Sequence, residues 1–397
     1  MERQSNMNIG MLGCVSEGKS TLVLKLTKIK TQKHSNELKK NITIKPGYAN
    51  LKIYRKDNEY TLENTEECVH HLSFIDCPGH HQLIQTMLGN LDLMSGVIVV
   101  VSLENDISCK PKLVQHLLAA KLAKLDNMII LLNKLDLISK DVAIKRKKQL
   151  DDLLEKLEIV PKEIIPVCLN KELGINFILN SIMKHFSPNI LDNVNHNKSR
   201  FYISRSFDIN KSNTNILNLN GGIIGGSLTK GKIKVGDVIE IKPGIQQGNN
   251  YKILKSKVLS LKSDQDNLDY IMPGGLIGIG TEIDPFYCKN DALTGNLVGL
   301  EGTLPDVFEI ITINLLDTKN TLISNWDPKA NDIINLQIST KLVKGKLLSI
   351  KKNIIICKLN QLVCLDYNTS ILLTSNNSTC DIIGYGVFID SSTNHHI

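Results

Sequence analysis

Hydrophobic and polar positions keep two different rhythms along this chain, and the change falls near residue 190. In the first part, short continuous apolar runs alternate with stretches at helical spacing. Runs at 8–12 (NIGML), 72–75 (LSFI), 96–102 (GVIVVVS), 128–132 (MIILL) and 164–167 (IIPV) predict buried strands. Residues 49–54 (ANLKIY) alternate and predict a half-buried strand. Leu22, Leu26 and Ile29 recur at helical spacing, and 113–125, 141–157 and 174–186 predict further helices. Residues 30–47 are polar without a clean period and predict a surface loop. Strand and helix alternating from 8 to 186 predict a doubly wound, mostly parallel sheet that takes ligands at the carboxyl ends of its strands.

Residues 188–200 (PNILDNVNHNKSR) form a polar linker, after which helical patterns nearly vanish. Short β-like runs follow, punctuated by Gly221-Gly222, Gly225-Gly226, Gly231, Gly236-Asp237, Pro243-Gly244 and Pro273-Gly274-Gly275. That pattern predicts a β-barrel. A second β-rich block runs from about 306 to the end, with strands expected near 308–315, 333–339, 354–359, 362–365 and 383–389. The expected architecture is multidomain α/β plus all-β, with boundaries at 1–190, 199–303 and 304–397. A length of 397 residues, too great for one ordinary core, agrees with that division.

Composition narrows the class. A hydrophobic share of 42% and a charged share of 22% are those of a soluble globular protein. The polar start MERQSNMNIG is unlike a signal peptide, and the apolar runs are too short to span a bilayer, so no membrane role and a cytoplasmic location are expected. Nine cysteines, an odd number without a C-x-x-C pair, predict reduced thiols. A net charge of +7 hints at a polyanionic partner.

Four short stretches carry the chemistry. Gly13 to Thr21 (GCVSEGKST) fits G-x-x-x-x-G-K-[ST] between an expected strand and an expected helix. Such a loop points backbone N–H groups and a helix N-terminus at phosphates. Val15, Ser16, Glu17, Gly18, Lys19, Ser20 and Thr21 are the candidate phosphate binders, with Lys19 on the β- and γ-phosphates and Ser20 on Mg²⁺. In the next loop Thr43 is the candidate second Mg²⁺ ligand and γ-phosphate sensor. Asp76-Cys77-Pro78-Gly79-His80 follows a strand: Asp76 can hold Mg²⁺, the Gly79 amide can donate to the γ-phosphate, and His80 can orient an attacking water. Lys19, Gly79 and His80 are thus the candidate catalytic groups.

Asn133-Lys134-Leu135-Asp136 follows another strand and reads guanine. The Asp136 carboxylate can accept from guanine N1–H and the N2 amine together, a donor pair that adenine lacks. Asn133 would tie this loop to the phosphate loop, and the Lys134 stem would stack over the base. Cys168-Leu169-Asn170 would close over the guanine from the last strand. Lys145, Arg146, Lys147 and Lys148, at the start of an expected helix, fit either a nucleic-acid contact or a solvated face.

These motifs and the two β domains resemble the translational GTPases related to elongation factor Tu. The stretches at 36–54, 72–90, 205–211, 219–244 and 272–285 resemble one branch, the gamma-subunit family of eukaryotic and archaeal translation initiation factor 2. The likeness is densest in the first two domains and thins after about residue 315. It implies binding of GTP and GDP with Mg²⁺ and partnership with alpha and beta subunits. It also implies delivery of methionyl initiator tRNA to the small ribosomal subunit, and slow GTP hydrolysis aided by an activating protein and reset by a nucleotide-exchange protein. The alternatives are a carrier of elongator or selenocysteyl tRNA and a hydrolysis-deficient GTP-binding scaffold.

The chain departs from the family pattern at four local places and in the length of its third domain. Glu17 stands where the family usually has histidine; a carboxylate beside phosphates is expected to point outward or bind a monovalent ion. His81 stands in place of an acid. Cys168-Leu169 replaces Ser-Ala, with little effect expected because the guanine contact there is largely backbone. The family's cysteine-rich insertion is reduced to a short polar stretch with Cys68, so no zinc is expected, and the third domain looks shortened.

Overall fold

A computed structural model describes residues 4–31, 43, 46–57, 59–64, 67–79, 84–186, 198–211, 215, 219–248, 250–316, 327–377 and 381–390. The chain divides into two compact units, Met1–Asn189 and Ile190–Ile397.

The first unit runs β1 (Met7–Leu12), α1 (Lys19–Thr27), β2 (Gly47–Lys56), β3 (Glu59–Thr61), β4 (Glu67–Asp76), α2 (Ile84–Leu88), β5 (Gly96–Ser102), α3 (Pro111–Leu122), β6 (Met128–Asn133), α4 (Lys140–Lys156), β7 (Glu163–Pro166) and α5 (Ile175–His185). Its sheet has the order β3-β2-β4-β1-β5-β6-β7. The strands from β4 to β7 in that order are parallel, and β2 and β3 are antiparallel at the edge. Every residue of β1, β5 and β6 is buried, which explains their unbroken apolar sequences. Leu22, Val23 and Leu26 of α1 and Ile178, Leu179 and Ile182 of α5 join Ile9, Met11, Phe74, Ile98 and Val100 in one core.

Sheet register sets the site. Met11 is level with Asp76, and Ser102 is level with Asn133. The loops that follow β1, β4, β5 and β6 therefore leave the sheet along one edge. β4 is longer than expected because His70 and His71 are buried in it; the His70 ring nitrogen Nε2 is 2.7 Å from the Phe186 carbonyl.

The second unit holds two closed barrels of six antiparallel strands. The first closes in the order Val238–Gln247, Leu297–Leu300, Arg200–Phe207, Ile223–Lys230, Ile277–Thr281, Asn250–Ser263 and back to the start. One glycine pair and one proline–glycine pair that mark turns in the sequence lie inside strands instead. Gly225-Gly226 falls within Ile223–Lys230, and Pro243-Gly244 sits at a bulge in Val238–Gln247 that absorbs the missing proline N–H. The second barrel closes through Val307–Leu316, Ile354–Cys364, Lys341–Lys351, Ile333–Ile338, Ser370–Thr374 and Ile382–Asp390. The segments expected at 354–359 and 362–365 are one strand, interrupted only by a register shift opposite Phe308 and Ile310. Arg200 forks onto Asp366, with Nε to Oδ2 at 2.7 Å and Nη2 to Oδ1 at 3.0 Å, and so fastens one barrel to the other.

Candidate functional site: the carboxyl edge of the parallel sheet

The phosphate loop turns from β1 into α1 through three left-handed residues, Gly13, Ser16 and Gly18. Gly18 is the N-cap of α1 at φ 113°, and a Cβ there would lie 2.3 Å from Asn133 Nδ2. Only glycine allows both that backbone and that approach. Lys19 is buried and its ammonium donates to the Gly13 and Cys14 carbonyls at 2.8 and 2.7 Å. Burial pushes its pKa down. Val15 and Ser16 are exposed on the loop, and Ser20 and Thr21 are half-buried at the start of α1.

Below the loop, hydroxyls converge on one carboxylate. Ser20 Oγ donates to Asp76 Oδ2 at 2.7 Å, Thr31 Oγ1 at 2.6 Å and Thr43 Oγ1 at 3.5 Å, while Ser20 and Thr43 lie 3.1 Å apart. Asp76 is fully buried at the end of β4; burial raises its pKa and the three hydroxyls pull it back. Its other oxygen, Oδ1, is buried without a hydrogen-bond partner among the described residues. Thr31 was not a sequence candidate. Thr31 and Thr43 are both buried, so these two positions of the 30–47 stretch are not the surface loop expected there. Gly79 brings its backbone against the loop: a Cβ on it would lie 2.5 Å from Lys19 Nζ. His80 and His81 lie outside the described residues.

At the base end, Asn133 spans two loops. Its Nδ2 donates to the Glu17 carbonyl at 2.8 Å, and its Oδ1 accepts from Leu169 N–H at 3.2 Å. Lys134 is left-handed at φ 62° and pairs with Glu104 at 2.7 Å. Asp136 stays partly open to water. A hydrogen bond from the Cys168 thiol, with Lys171 3.4 Å away, holds its carboxyl below the usual range. Cys168 and Leu169 are buried and Asn170 is exposed.

The sequence profile of the elongation factor Tu GTP-binding domain family matches residues 4–188. Translation initiation factor 2 subunit gamma of Methanococcus vannielii is 35% identical over 97% of this chain and 99% of its own length. The eukaryotic translation initiation factor 2 subunit gamma of Encephalitozoon cuniculi is also 35% identical, over 86% of this chain and 82% of its own. The chain belongs to the translation initiation factor 2 subunit gamma family. It is a GTP-binding translational GTPase of the initiation factor 2 type. A crystal structure of a bacterial selenocysteine-specific elongation factor shares the fold, with a TM-score of 0.79 and 22% identity. That match covers 98% of this chain and 59% of the elongation factor's.

Glu17 overturns one half of an expectation. It does not point outward. Its side chain is buried and bonded to Lys110 Nζ through Oε1 at 2.7 Å and Oε2 at 3.0 Å, and it also accepts from Ser102 N–H. A lysine at the start of α3 supplies the cation, so repulsion from phosphates is cancelled inside the protein. Arg146 turns back to the Leu103 and Glu104 carbonyls, and Lys147 pairs with Asp151 at 2.6 Å within α4. Cys68 Sγ lies 3.6 Å from the His70 carbonyl, and among the described residues no group of His, Cys, Asp and Glu is placed to share a metal ion. No helix among them is long and apolar enough to cross a membrane.

Proposed function

We propose that this chain is the GTP-binding core subunit of an initiation factor 2 complex. In its GTP state it carries methionyl initiator tRNA to the small ribosomal subunit, and hydrolysis is the release switch. One observation supports a switch above all: hydroxyls from α1 (Ser20) and from two further positions (Thr31, Thr43) meet on the single carboxylate of Asp76. Groups distant in sequence that share one buried acid respond together when the local charge changes.

GTP would lie along the sheet edge. The N–H groups of residues 15–21 and the N-terminus of α1 take the phosphates. Lys19 exchanges the Gly13 and Cys14 carbonyls for phosphate oxygens and neutralises charge that builds on the leaving β-phosphate. Ser20, Thr43 and Asp76 suit Mg²⁺: the set is all oxygen, and Asp76 Oδ1 is buried without a partner among the described residues. Bound there, the ion would screen and polarise the phosphates. The Gly79 amide contacts the γ-phosphate, and His80 holds the attacking water in line. Asp136 reads guanine, Lys134 covers the ring, and 168–170 close its other side.

Hydrolysis of this kind is mostly positioning and charge. The sequence next to Thr43 offers Lys39 and Lys40 but no arginine. An activating protein that inserts one would raise the rate by roughly 10³- to 10⁵-fold. Alpha and beta subunits, a nucleotide-exchange protein and cytoplasmic location complete the proposal, and the family membership supports them. The test is filter binding of the GTP-loaded protein, with its partner subunits, to methionyl initiator tRNA and to methionyl elongator tRNA. Preference for the initiator is expected. Equal affinity would favour an elongator-type or selenocysteyl-type carrier.

A further inference from the structure

The turn after β5, residues Ser102 to Glu104, is bonded to both ends of the nucleotide site. On the phosphate side, Ser102 N–H donates to the Glu17 carboxylate and Ser102 O accepts from Lys110 Nζ at 2.5 Å. Lys110 Nζ also holds both Glu17 oxygens, and both side chains are 7% exposed. On the base side, Leu103 N–H donates to the Asn133 carbonyl at 3.1 Å and Glu104 pairs with Lys134. Arg146 of α4 fixes the turn from behind through the Leu103 and Glu104 carbonyls. Glu17 itself faces both ways: its carboxylate grips the turn, and its carbonyl accepts from Asn133.

Lys110 occupies an unfavourable place for a cation. It is the N-cap of α3, where the helix dipole is positive, and it is buried with Pro111 directly after it. A buried ammonium at that place needs a carboxylate, and the one that reaches it comes from the phosphate loop 93 residues away.

We propose that Glu17 and Lys110 are a pair of positioning residues. Through the 102–104 turn, the pair holds the phosphate loop in register with the guanine-reading loop, so that one bound nucleotide meets both at once. Neither side chain touches the nucleotide. Because the carboxylate is neutralised by Lys110, the loop takes phosphates without a free monovalent cation. This inference rests on the guanine-nucleotide site proposed above.

The test uses the full chain and mant-GDP. Release is followed by stopped flow in the wild type, Glu17→Gln, Lys110→Met and the double variant, and the bound GDP β-phosphate is followed by ³¹P NMR. Each single variant is expected to release mant-GDP roughly 10- to 100-fold faster. The double variant, free of an unpaired buried charge, should release it no faster than the quicker single. The β-phosphate resonance should move in both singles, a change that mere loss of fold stability does not produce. Wild-type release rates with an unmoved resonance, or rate factors that multiply in the double variant, would overturn the pairing. Should a single variant fail to fold, Glu17→Asp takes its place: it keeps the charge one methylene short, and the same faster release and shifted resonance are expected. A wild type that binds no mant-GDP would defeat the nucleotide site itself, an outcome distinct from failure of the pair.

Discussion

The phosphate end and the base end of the site follow opposite electrostatic plans. At the phosphate end Glu17, Lys19, Asp76 and Lys110 are all buried; Glu17 and Lys110 pair with each other, Lys19 rests on two carbonyls, and Asp76 takes hydroxyls on one oxygen and keeps the other without a partner among the described residues. At the base end Asp136 and Lys134 remain partly in water, with side chains 21% and 25% exposed, and lean on the mobile partners that surface lysines and glutamates are. The contrast assigns different duties. Under the proposed function, the buried set would hold one geometry and couple nucleotide binding to the fold, and the more open Asp136 carboxylate, its pKa held down beside Cys168 and Lys171, would select the base while contributing little to stability.

The largest expected effect lies at the base end and concerns selectivity alone. Asp136→Asn should weaken GDP binding by about 10⁴-fold, because the amide presents a donor to guanine N1–H. Xanthosine diphosphate, with a carbonyl where guanine has its amine, should recover most of that loss in a calorimetric titration, and the urea midpoint should hardly move. Lys19→Ala should weaken GDP and GTP alike by at least about 10³-fold, with no base able to rescue it. A rescue of Lys19→Ala by xanthosine diphosphate would erase the contrast between the two ends.

Smaller changes sharpen the comparison. Gly18→Ala forces a side chain into left-handed backbone against the Asn133 amide. It should cost about 1–3 kcal/mol in urea unfolding and loosen both ends together, since Asn133 joins them. Lys147→Ala removes an exposed ion pair on α4 and should shift stability by less than about 0.5 kcal/mol, with nucleotide binding unchanged. A larger effect on binding would give that lysine face a part in the site.

Much of this was legible in the sequence where local chemistry and sheet register agree. Gly13–Thr21, Asp76, Asn133 and Asp136 each follow a continuous apolar run, and parallel strands of that kind deliver their following loops to one edge. Groups joined only by tertiary contact were hidden. Thr31 sits in a stretch with no period, and nothing in its spacing links it to Asp76. Glu17 carried a visible conflict, an acid beside phosphates, but its partner lies far along the chain. The one local sign was at the other end: a lysine just before a proline that opens a helix, where a cation is out of place without an anion nearby. In the first barrel, glycines inside strands imitated turns, and in the parallel sheet the first part of β4 was hidden by its buried histidines, His70 and His71.

The central claim is that one edge of the parallel sheet reads phosphate and guanine together. Isothermal titration of the intact chain with GDP and with ADP, in Mg²⁺ buffer, tests it most directly. GDP should bind at least about 10³-fold more tightly than ADP, the margin set by a carboxylate that adenine leaves unpaired. Comparable affinities for the two would contradict it.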